Sequence, residues 1–445
     1  MISVNLKLSI FHAGLTLILL LGGVMKTPIV LSDGVAYPIS VVDDFGRNVT
    51  VAAMPERIVS LAPSATEILF ALNLGGRVVG VTRYCDYPQE VLDRVKSGNL
   101  TVIGGIVDIS VERVIALDPD LVVATYSLQA ETIEFLQGKG LTVIGLNPKN
   151  LQQTLNDIRL VGLICGETGK AEQLVGDLQR RIGYITQRVK EAGSRPRVYY
   201  EVWYDPLMSV GPETVQNELI HMAGGENIFA DAQAPYPTIS SEVVVTRNPQ
   251  VIIVPTGYMG GAGKEEFKKR PGWSGIEAVK NGMIHEVDEN LIVRPGPRVI
   301  EGLERLALIL HPDLFTGRIE VRAGAVLETN STITYTYYDE TRRLLNFTAK
   351  GEDGTSATLN ATISKTLLDG APVVFMDGRE IPSSYTENST HYLIRFSYHH
   401  TSHTFTIGGA NTIPEYPSAT FLLAIILTLT LIIGLRRRAW SVKLK

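Results

Sequence analysis

The sequence predicts an α/β protein of two similar lobes bridged by one long helix, followed by a small all-β domain and a C-terminal transmembrane helix. Three observations predict it. Residues recur in register: Ser60, Pro63, Gly75 and Gly76 match Ser209, Pro212, Gly224 and Gly225 at a constant offset of 149, and Ser110, Glu112, Pro119 and Leu121 match Ser240, Glu242, Pro249 and Val251 at an offset of 130. Between the two halves runs GKAEQLVGDLQRRIGYITQRVKEAG, residues 169–193. There Leu174, Leu178, Ile182, Ile185 and Val189 recur at spacings of three and four with charged residues between them, the pattern of an amphipathic helix. From Gly317 onward no helical period remains and apolar residues alternate with Thr and Tyr, as in antiparallel strands.

Taken in order, residues 1–36 read as an export signal. Lys7 precedes an uncharged run from Leu8 to Met25, and the small residues Gly34, Val35 and Ala36 offer a cleavage site. No cysteine follows the run, which excludes a lipoprotein anchor. The first lobe, 37–168, opens with a β-like segment, Tyr37 to Val51, folded around a Phe-Gly turn. It continues with RIVSLAPSATEILFAL, VVGVTRY, an amphipathic segment from Ser110 to Leu117, DLVVA, a helix near Glu131 to Gln137, and LTVIGL. Strands alternating with helices imply βαβ units and parallel pairing. The bridging helix, 169–193, would span roughly 35 Å at 1.5 Å per residue and act as a strut that permits only modest closure. The second lobe, 194–315, repeats the grammar with RVYYEVW, VQNELIHMAGG, SSEVVVTR, QVIIVP and a helix from Val299 to Leu310.

Residues 316–408 are expected to form a β-sandwich-like domain, read as a short or flexible spacer between the lobes and the membrane, followed by a polar linker, 409–417. The segment 418–435 is a transmembrane anchor or sorting signal: Tyr416 to Leu435 is uncharged and long enough to span a bilayer, and Arg436, Arg437 and Arg438 follow. The positive-inside rule keeps those arginines cytoplasmic and the body outside, at the cell surface. Pro414, Glu415 and Tyr416 resemble the Pro-Glu-Phe of C-terminal sorting signals in archaeal surface proteins, so the tail is either retained or processed.

The 445 residues, 45% hydrophobic and 20% charged, suffice for two or three domains, and a net charge of -5 without a basic block argues against nucleic acid as partner. Cys85 and Cys165 make neither a metal cluster nor a disulfide scaffold; one bridge or two free thiols remain open. Of six Asn-x-Ser/Thr triplets, at Asn48, Asn99, Asn330, Asn346, Asn360 and Asn388, four crowd into the β-domain, as in a glycoprotein.

No enzyme is indicated. There is no nucleophile elbow and no His-Glu-x-x-His, and the Gly-rich run Gly257 to Lys264 has the wrong spacing for a phosphate loop. His399, His400 and His403 fall in a strand whose side chains alternate sides, so they read as a polar strand end and no metal or cofactor is expected. The repeated glutamates carry more. Ser110 and Ser240 are good N-cap residues, and Glu112 and Glu242 then fall in the first helical turn, where the helix dipole favours a carboxylate. That explains one glutamate, not the same one in each lobe. Two equivalent carboxylates suit docking onto basic residues of a two-fold partner. A cleft is expected where the lobes meet, with Tyr84, Trp203, Tyr204, Tyr236, Arg294 and Arg298 near its rim, a set suited to a large ligand with polar edges.

RIVSLAPSATEILFAL, GVTRYCDYP, SVERVIALDPDLVVA, GPETVQNELIHMAGGENIFADAQAPYPTISSE and NPQVIIV together resemble the cobalamin and iron-siderophore substrate-binding proteins of ABC importers, over about Pro55 to Pro312. The resemblance implies two Rossmann-like lobes with little hinge motion, and Glu112 and Glu242 as the pair that docks onto arginines of the permease dimer, which works with its ATPase subunits. The texture is nearest the cobalamin branch. Tyr84 matches a ligand-contacting tyrosine, Tyr236 stands where that branch has a tryptophan, and Arg294 aligns with a ligand-facing arginine. A second tryptophan is replaced around Ile106, and an aspartate four positions before the arginine is Asn290 here. The expected ligand contacts are Tyr84, Trp203, Tyr236, Asn290 and Arg294, and the expected ligand is cobalamin or a related corrinoid. A ferric siderophore or heme remains the alternative within the family, and a structural or adhesive surface protein the alternative outside it.

Overall fold

A computed structural model describes residues 35–125, 129–256, 264–322 and 324–411. The export signal up to Gly34, the Gly-rich run up to Gly263, the linker beyond Asn411 and the segment 418–435 lie outside the described residues. Among the described residues no helix is long and apolar enough to cross a membrane. The chain divides into two units, residues 1–176 with 294–298, and residues 177–293 with 299–445.

Unit 1 begins with an antiparallel hairpin, β1 (Ile39–Val42) and β2 (Asn48–Val51), around Gly46 at φ 73°. Then come β3 (Ile58–Ser60), helix Pro63–Ala71, β4 (Val78–Val81), helix Gln89–Lys96, β5 (Thr101–Val102), helix Val111–Ala116, β6 (Leu121–Thr125), helix Ala130–Gly138 and β7 (Val143–Leu146). The five strands from β3 to β7 pair in parallel in the order β5-β4-β3-β6-β7. A parallel sheet is covered on both faces, which is why β6 and β7 read as unbroken apolar runs and are buried throughout. Val59, Leu61, Val122, Ile133, Leu136 and Val143 share one core. Helix Leu151–Ile164 follows, capped by Asn150, whose Oδ1 accepts from the Gln153 N–H at 2.8 Å. The bridging helix is observed at Thr168–Arg188, continued by a 3-10 turn, Val189–Glu191, and crosses from unit 1 to unit 2 at residue 177.

Unit 2 holds β8 (Arg197–Tyr204), β9 (Leu207–Ser209), helix Val215–Met222, β10 (Glu226–Asn227), helix Ser241–Arg247, β11 (Val251–Thr256), helices Lys264–Lys269 and Glu277–Lys280, β12 (Ile284–Asp288) and helix Val299–Leu310. Strands β10-β8-β11-β12 are parallel neighbours, and β9 folds back antiparallel on β8. Tyr199, Phe229, Ile252, Phe267 and Trp273 fill the core. The sequence repeat is a structural one: Leu121 and Val251 open β6 and β11, and the helix before each starts just after Ser110 or Ser240. Asp118 and Asn248, one position before Pro119 and Pro249, both take positive φ, 46° and 43°, so the same left-handed stop ends both helices.

The rest of unit 2 is a β-sandwich of β13 (Gly317–Arg322), β14 (Ala325–Thr329), β15 (Thr332–Asp339), β16 (Leu344–Lys350), β17 (Ser356–Ser364), β18 (Pro372–Met376), β19 (Arg379–Glu380), β20 (Ser384–Glu387), β21 (His391–His399) and β22 (Ser402–Gly409). Two antiparallel sheets, β13-β14-β17-β21-β20 and β15-β16-β22-β18-β19, enclose Leu359, Phe347, Ile394, Phe396 and Phe405. Alternation is clean in β17, where Ala357, Leu359, Ala361 and Ile363 point inward.

The sandwich packs against the rest of unit 2. The ring of Phe315, fully buried, meets Tyr184 of the bridging helix edge to face at 6.3 Å, and the Ile333 N–H donates to the Phe315 carbonyl at 2.8 Å. Arg180 lies 4.5 Å over the Tyr337 ring. Next to it Arg181 makes a two-pronged bond to Glu304 at 2.7 and 2.9 Å. The sandwich is thus tied on through Ile333 and Tyr337, while Tyr184 and Arg181 fix the bridging helix to Phe315 and to helix Val299–Leu310. Gly409, expected to begin the linker, is the last residue of β22.

Candidate ligand-binding site

In unit 1 the site grows from one turn and one buried charge. After β4 the chain runs Arg83-Tyr84-Cys85-Asp86-Tyr87. Cys85 turns inward, where its Sγ meets the Thr66 hydroxyl at 3.1 Å and the Thr82 hydroxyl at 3.2 Å. Tyr84 on one side is half-buried, and Asp86 and Tyr87 on the other are exposed. Beneath them stands Glu67, five residues into helix Pro63–Ala71, with its side chain 1% exposed. A carboxylate buried that deeply requires cations. They arrive from far along the chain, in Arg294-Pro-Gly-Pro-Arg298, where two prolines fix φ and the Gly296 N–H closes onto the Arg294 carbonyl at 2.8 Å.

Arg298 grips Glu67 with Nε at 3.0 Å and Nη2 at 2.6 Å, and its guanidinium lies 3.9 Å from the Tyr87 ring centroid. Arg294 is 7% exposed. Its Nη1 donates to Asp86 Oδ1 at 2.5 Å and reaches Glu67 Oε1 at 3.4 Å, while Nη2 donates to the Tyr84 carbonyl at 3.2 Å and to Asp86 Oδ2 at 3.4 Å. Burial raises the Glu67 carboxyl above its ordinary value against the pull of Arg298 and Arg294. Two carboxylates and two guanidiniums leave the cluster without formal net charge, edged by aromatic rings.

The unit brings together Tyr84 and Arg294, two of the expected ligand contacts, although the sequence places Arg294 in the second lobe, and adds Glu67 and Asp86, which sequence reasoning missed. The available signal was a lone glutamate in the apolar run SATEILFAL. The remaining expected contacts belong to unit 2. Trp203 and Tyr204 close β8, 38% and 56% exposed, with ring centroids 6.5 Å apart and the Trp203 indole N–H bonded to the Asp205 carbonyl at 2.8 Å. Tyr236, 48% exposed, rides on a loop laid along β9: the Ser209 N–H donates to the Pro237 carbonyl at 3.1 Å and the Gly211 N–H to the Pro235 carbonyl at 2.8 Å. A Cβ at Gly211 would stand 2.3 Å from the Ala234 carbonyl oxygen, so only glycine allows this approach. Asn290 is half-buried in the turn Glu289–Leu291, its N–H bonded to Asp288 Oδ1 at 3.0 Å.

Glu112 and Glu242 are both exposed in the first turns of their helices, and neither enters an ion pair among the described residues. The caps differ. Ser110 accepts from the Arg113 N–H at 3.3 Å and donates to Glu112 at 3.2 Å, whereas Ser240, expected to cap in the same way, makes no such cap bond. The Glu242 carboxyl is held below its ordinary value by its own backbone N–H, then by the Ser240 hydroxyl. His399, His400 and His403 face separate partners: Ser356 at 3.0 Å, Ser331 at 2.7 Å and Asp377 at 2.6 Å. Cys85 and Cys165 are both buried free thiols.

The family described as periplasmic binding protein matches residues 58–291. The chain belongs to that family. Among its relatives is an uncharacterized ABC transporter substrate-binding lipoprotein of Bacillus subtilis, 36% identical over 286 residues, covering 63% of this chain and 87% of the relative. The vitamin B12-binding protein of Vibrio parahaemolyticus is 29% identical over 261 residues, covering 58% of this chain and 91% of its own. Among solved structures, the periplasmic vitamin B12-binding protein of Vibrio cholerae superposes with a TM-score of 0.51 at 26% identity, covering 58% of this chain and 97% of its own. The periplasmic heme-binding protein of Roseiflexus sp. RS-1 gives 0.52 at 28% identity, covering 58% and 99%. Periplasmic binding proteins are non-enzymatic transport components. The β-sandwich of this periplasmic binding protein lies beyond the residues the family matches.

Proposed function

We propose that the protein is the extracytoplasmic substrate-binding subunit of an ABC importer and that its ligand is cobalamin or a related corrinoid. The observation that carries the reading is the charge-neutral, aromatic-edged cluster of Glu67, Tyr84, Asp86, Tyr87, Arg294 and Arg298. It suits a broad ring system with polar edges, and relatives named for vitamin B12 binding support it. Trp203, Tyr236 and Asn290 are proposed as contacts from unit 2. Calorimetric titration of the purified protein with cyanocobalamin tests the reading: saturable binding is expected, and no heat alongside a clear response to hemin refutes it. Heme is the second reading, favoured by the heme-binding relative and by Asn290 and Ile106 standing where the cobalamin branch has aspartate and tryptophan.

Glu112 and Glu242 are proposed to dock onto basic residues of the permease dimer. Both are exposed at equivalent places in the repeat, beside exposed apolar side chains, Ile115 and Val243. Residues 1–36 are proposed to direct export, and the apolar segment 418–435 to anchor the chain at the cell surface. The lobes are proposed as 37–168 and 194–315.

A further inference from the structure

The cluster around Arg294 carries an inference about which ligand edge it accepts, and it rests on the reading of the protein as a receptor for a ring-shaped metal chelate. An arginine aimed at a ligand ordinarily recognises a carboxylate through its fork of N–H donors. Here that fork is already filled. Both terminal nitrogens of Arg294 are on Asp86, one also reaches Glu67, and the other also holds the Tyr84 carbonyl. Arg298 is spent on Glu67 and roofed by the Tyr87 ring. Glu67 is sealed, with its side chain 1% exposed, but the Asp86 side chain is 46% exposed. The most accessible charged group of the cluster is therefore an acceptor with a negative charge.

We infer that Asp86 is a specificity-determining residue that selects ligands whose peripheral groups are carboxamides and rejects those whose peripheral groups are carboxylates. A carboxamide N–H₂ donates to Asp86 and leaves the Arg294 fork intact. A carboxylate has no donor, meets a like charge, and must displace Asp86 to reach Arg294. For a half-exposed site the discrimination expected is about tenfold or more.

The test uses the full chain and two probes on one ring, cyanocobalamin and the corrinoid polycarboxylate obtained by hydrolysing its side-chain amides. Wild type is expected to bind the amide probe at least about tenfold more tightly. Asp86→Asn, which removes the charge and one of the two Asp86 acceptors that hold the Arg294 fork, is expected to shrink that ratio about tenfold, mostly by gaining affinity for the carboxylate probe. A wild-type ratio near one overturns the inference without any variant being needed, and so does a ratio that Asp86→Asn leaves unchanged. If the wild type ignores both corrinoids but binds hemin, the corrinoid reading fails alone, and the same comparison runs between hemin and its bis-propionamide. There, preference for the diamide that Asp86→Asn erases upholds the role of Asp86, and preference for hemin overturns it. Binding of neither ring overturns both.

Discussion

Glu67→Gln is the sharpest test of how unit 1 is held together. The variant keeps the shape of the side chain and removes its charge. The Glu67 side chain is 1% exposed, and the side chains of its partners Arg294 and Arg298 are 9% and 12% exposed, so solvent screens little of the loss. Removing one member of a buried ion pair costs about 3–5 kcal/mol. Arg294 keeps Asp86, and the glutamine amide oxygen still accepts from Arg298, which places the effect at the low end, about 3 kcal/mol. That is roughly a hundredfold in a local opening equilibrium. Fluorescence would miss it, because Trp203, Trp273 and Trp440 all lie outside unit 1. Amide hydrogen exchange over residues 58–72 reads it directly, and protection there should fall about a hundredfold while the β-sandwich is unchanged. A second change, Arg298→Met in the Glu67→Gln background, should recover part of the loss by removing the orphaned charge. Less than threefold loss in the single variant would mean the ion pairs contribute no net stability, and the account of the Arg294–Arg298 segment would fail.

Asp157 is buried, its Oδ2 has no hydrogen-bond partner among the described residues, and burial followed by the nearby Asp44 carboxylate pushes its carboxyl up to about 9. A raised carboxyl favours the fold below its ordinary pKa and loses that contribution as pH climbs toward 9. Melting temperature should therefore fall between pH 5 and pH 8, and Asp157→Asn should flatten the dependence; equal slopes in both proteins would contradict the assignment. Burial pushes Cys165 up to about 12 and raises Cys85, so neither thiol should react with a disulfide reagent in the native protein and both should react after denaturation, with one modified native thiol counting against the packing. Phe405→Ala should destabilise the sandwich by about 3–5 kcal/mol, because the fully buried ring stacks on Phe347 at 5.1 Å and touches Tyr398 at 4.7 Å; limited proteolysis reads the loss as earlier cleavage within 317–409. Charge reversal at Glu112 and Glu242 together should abolish delivery to the permease in reconstituted vesicles without changing ligand affinity, and lost affinity would refute the docking role.

What was legible in the sequence was whatever the chain writes locally or writes twice. The helix Val299–Leu310 follows from its period, β6 and β7 from their apolar runs, and the correspondence of Ser110 and Glu112 with Ser240 and Glu242 from repetition. Asp118 and Asn248 extend the same register, yet different residue types hide a shared left-handed turn. The ionic cluster was not legible, because Glu67 and Arg294 stand 227 positions apart and no periodicity links them. The sequence offers Arg294 as a ligand-facing cation and gives no sign of the carboxylates that hold it. Ser240 shows the converse limit: a residue type fit for capping occupies the cap position and bonds elsewhere.

Strand β22 has a mechanical consequence. It stands in the middle of its sheet, laddered to β16 from Lys350↔Ser402 to Leu345↔Ile407 and to β18 from Met376↔Phe405 to Pro372↔Gly409. Any tension applied through the residues after Asn411 enters the fold along a strand gripped on both flanks. Such a strand cannot be unzipped one bond at a time from a free edge; it must shear past two neighbours at once. The contacts of Ile333 with Phe315, Phe315 with Tyr184 and Tyr337 with Arg180 then hand the tension on to the bridging helix. Pulled from its C-terminal side, the sandwich should behave as a stiff grip rather than as slack line.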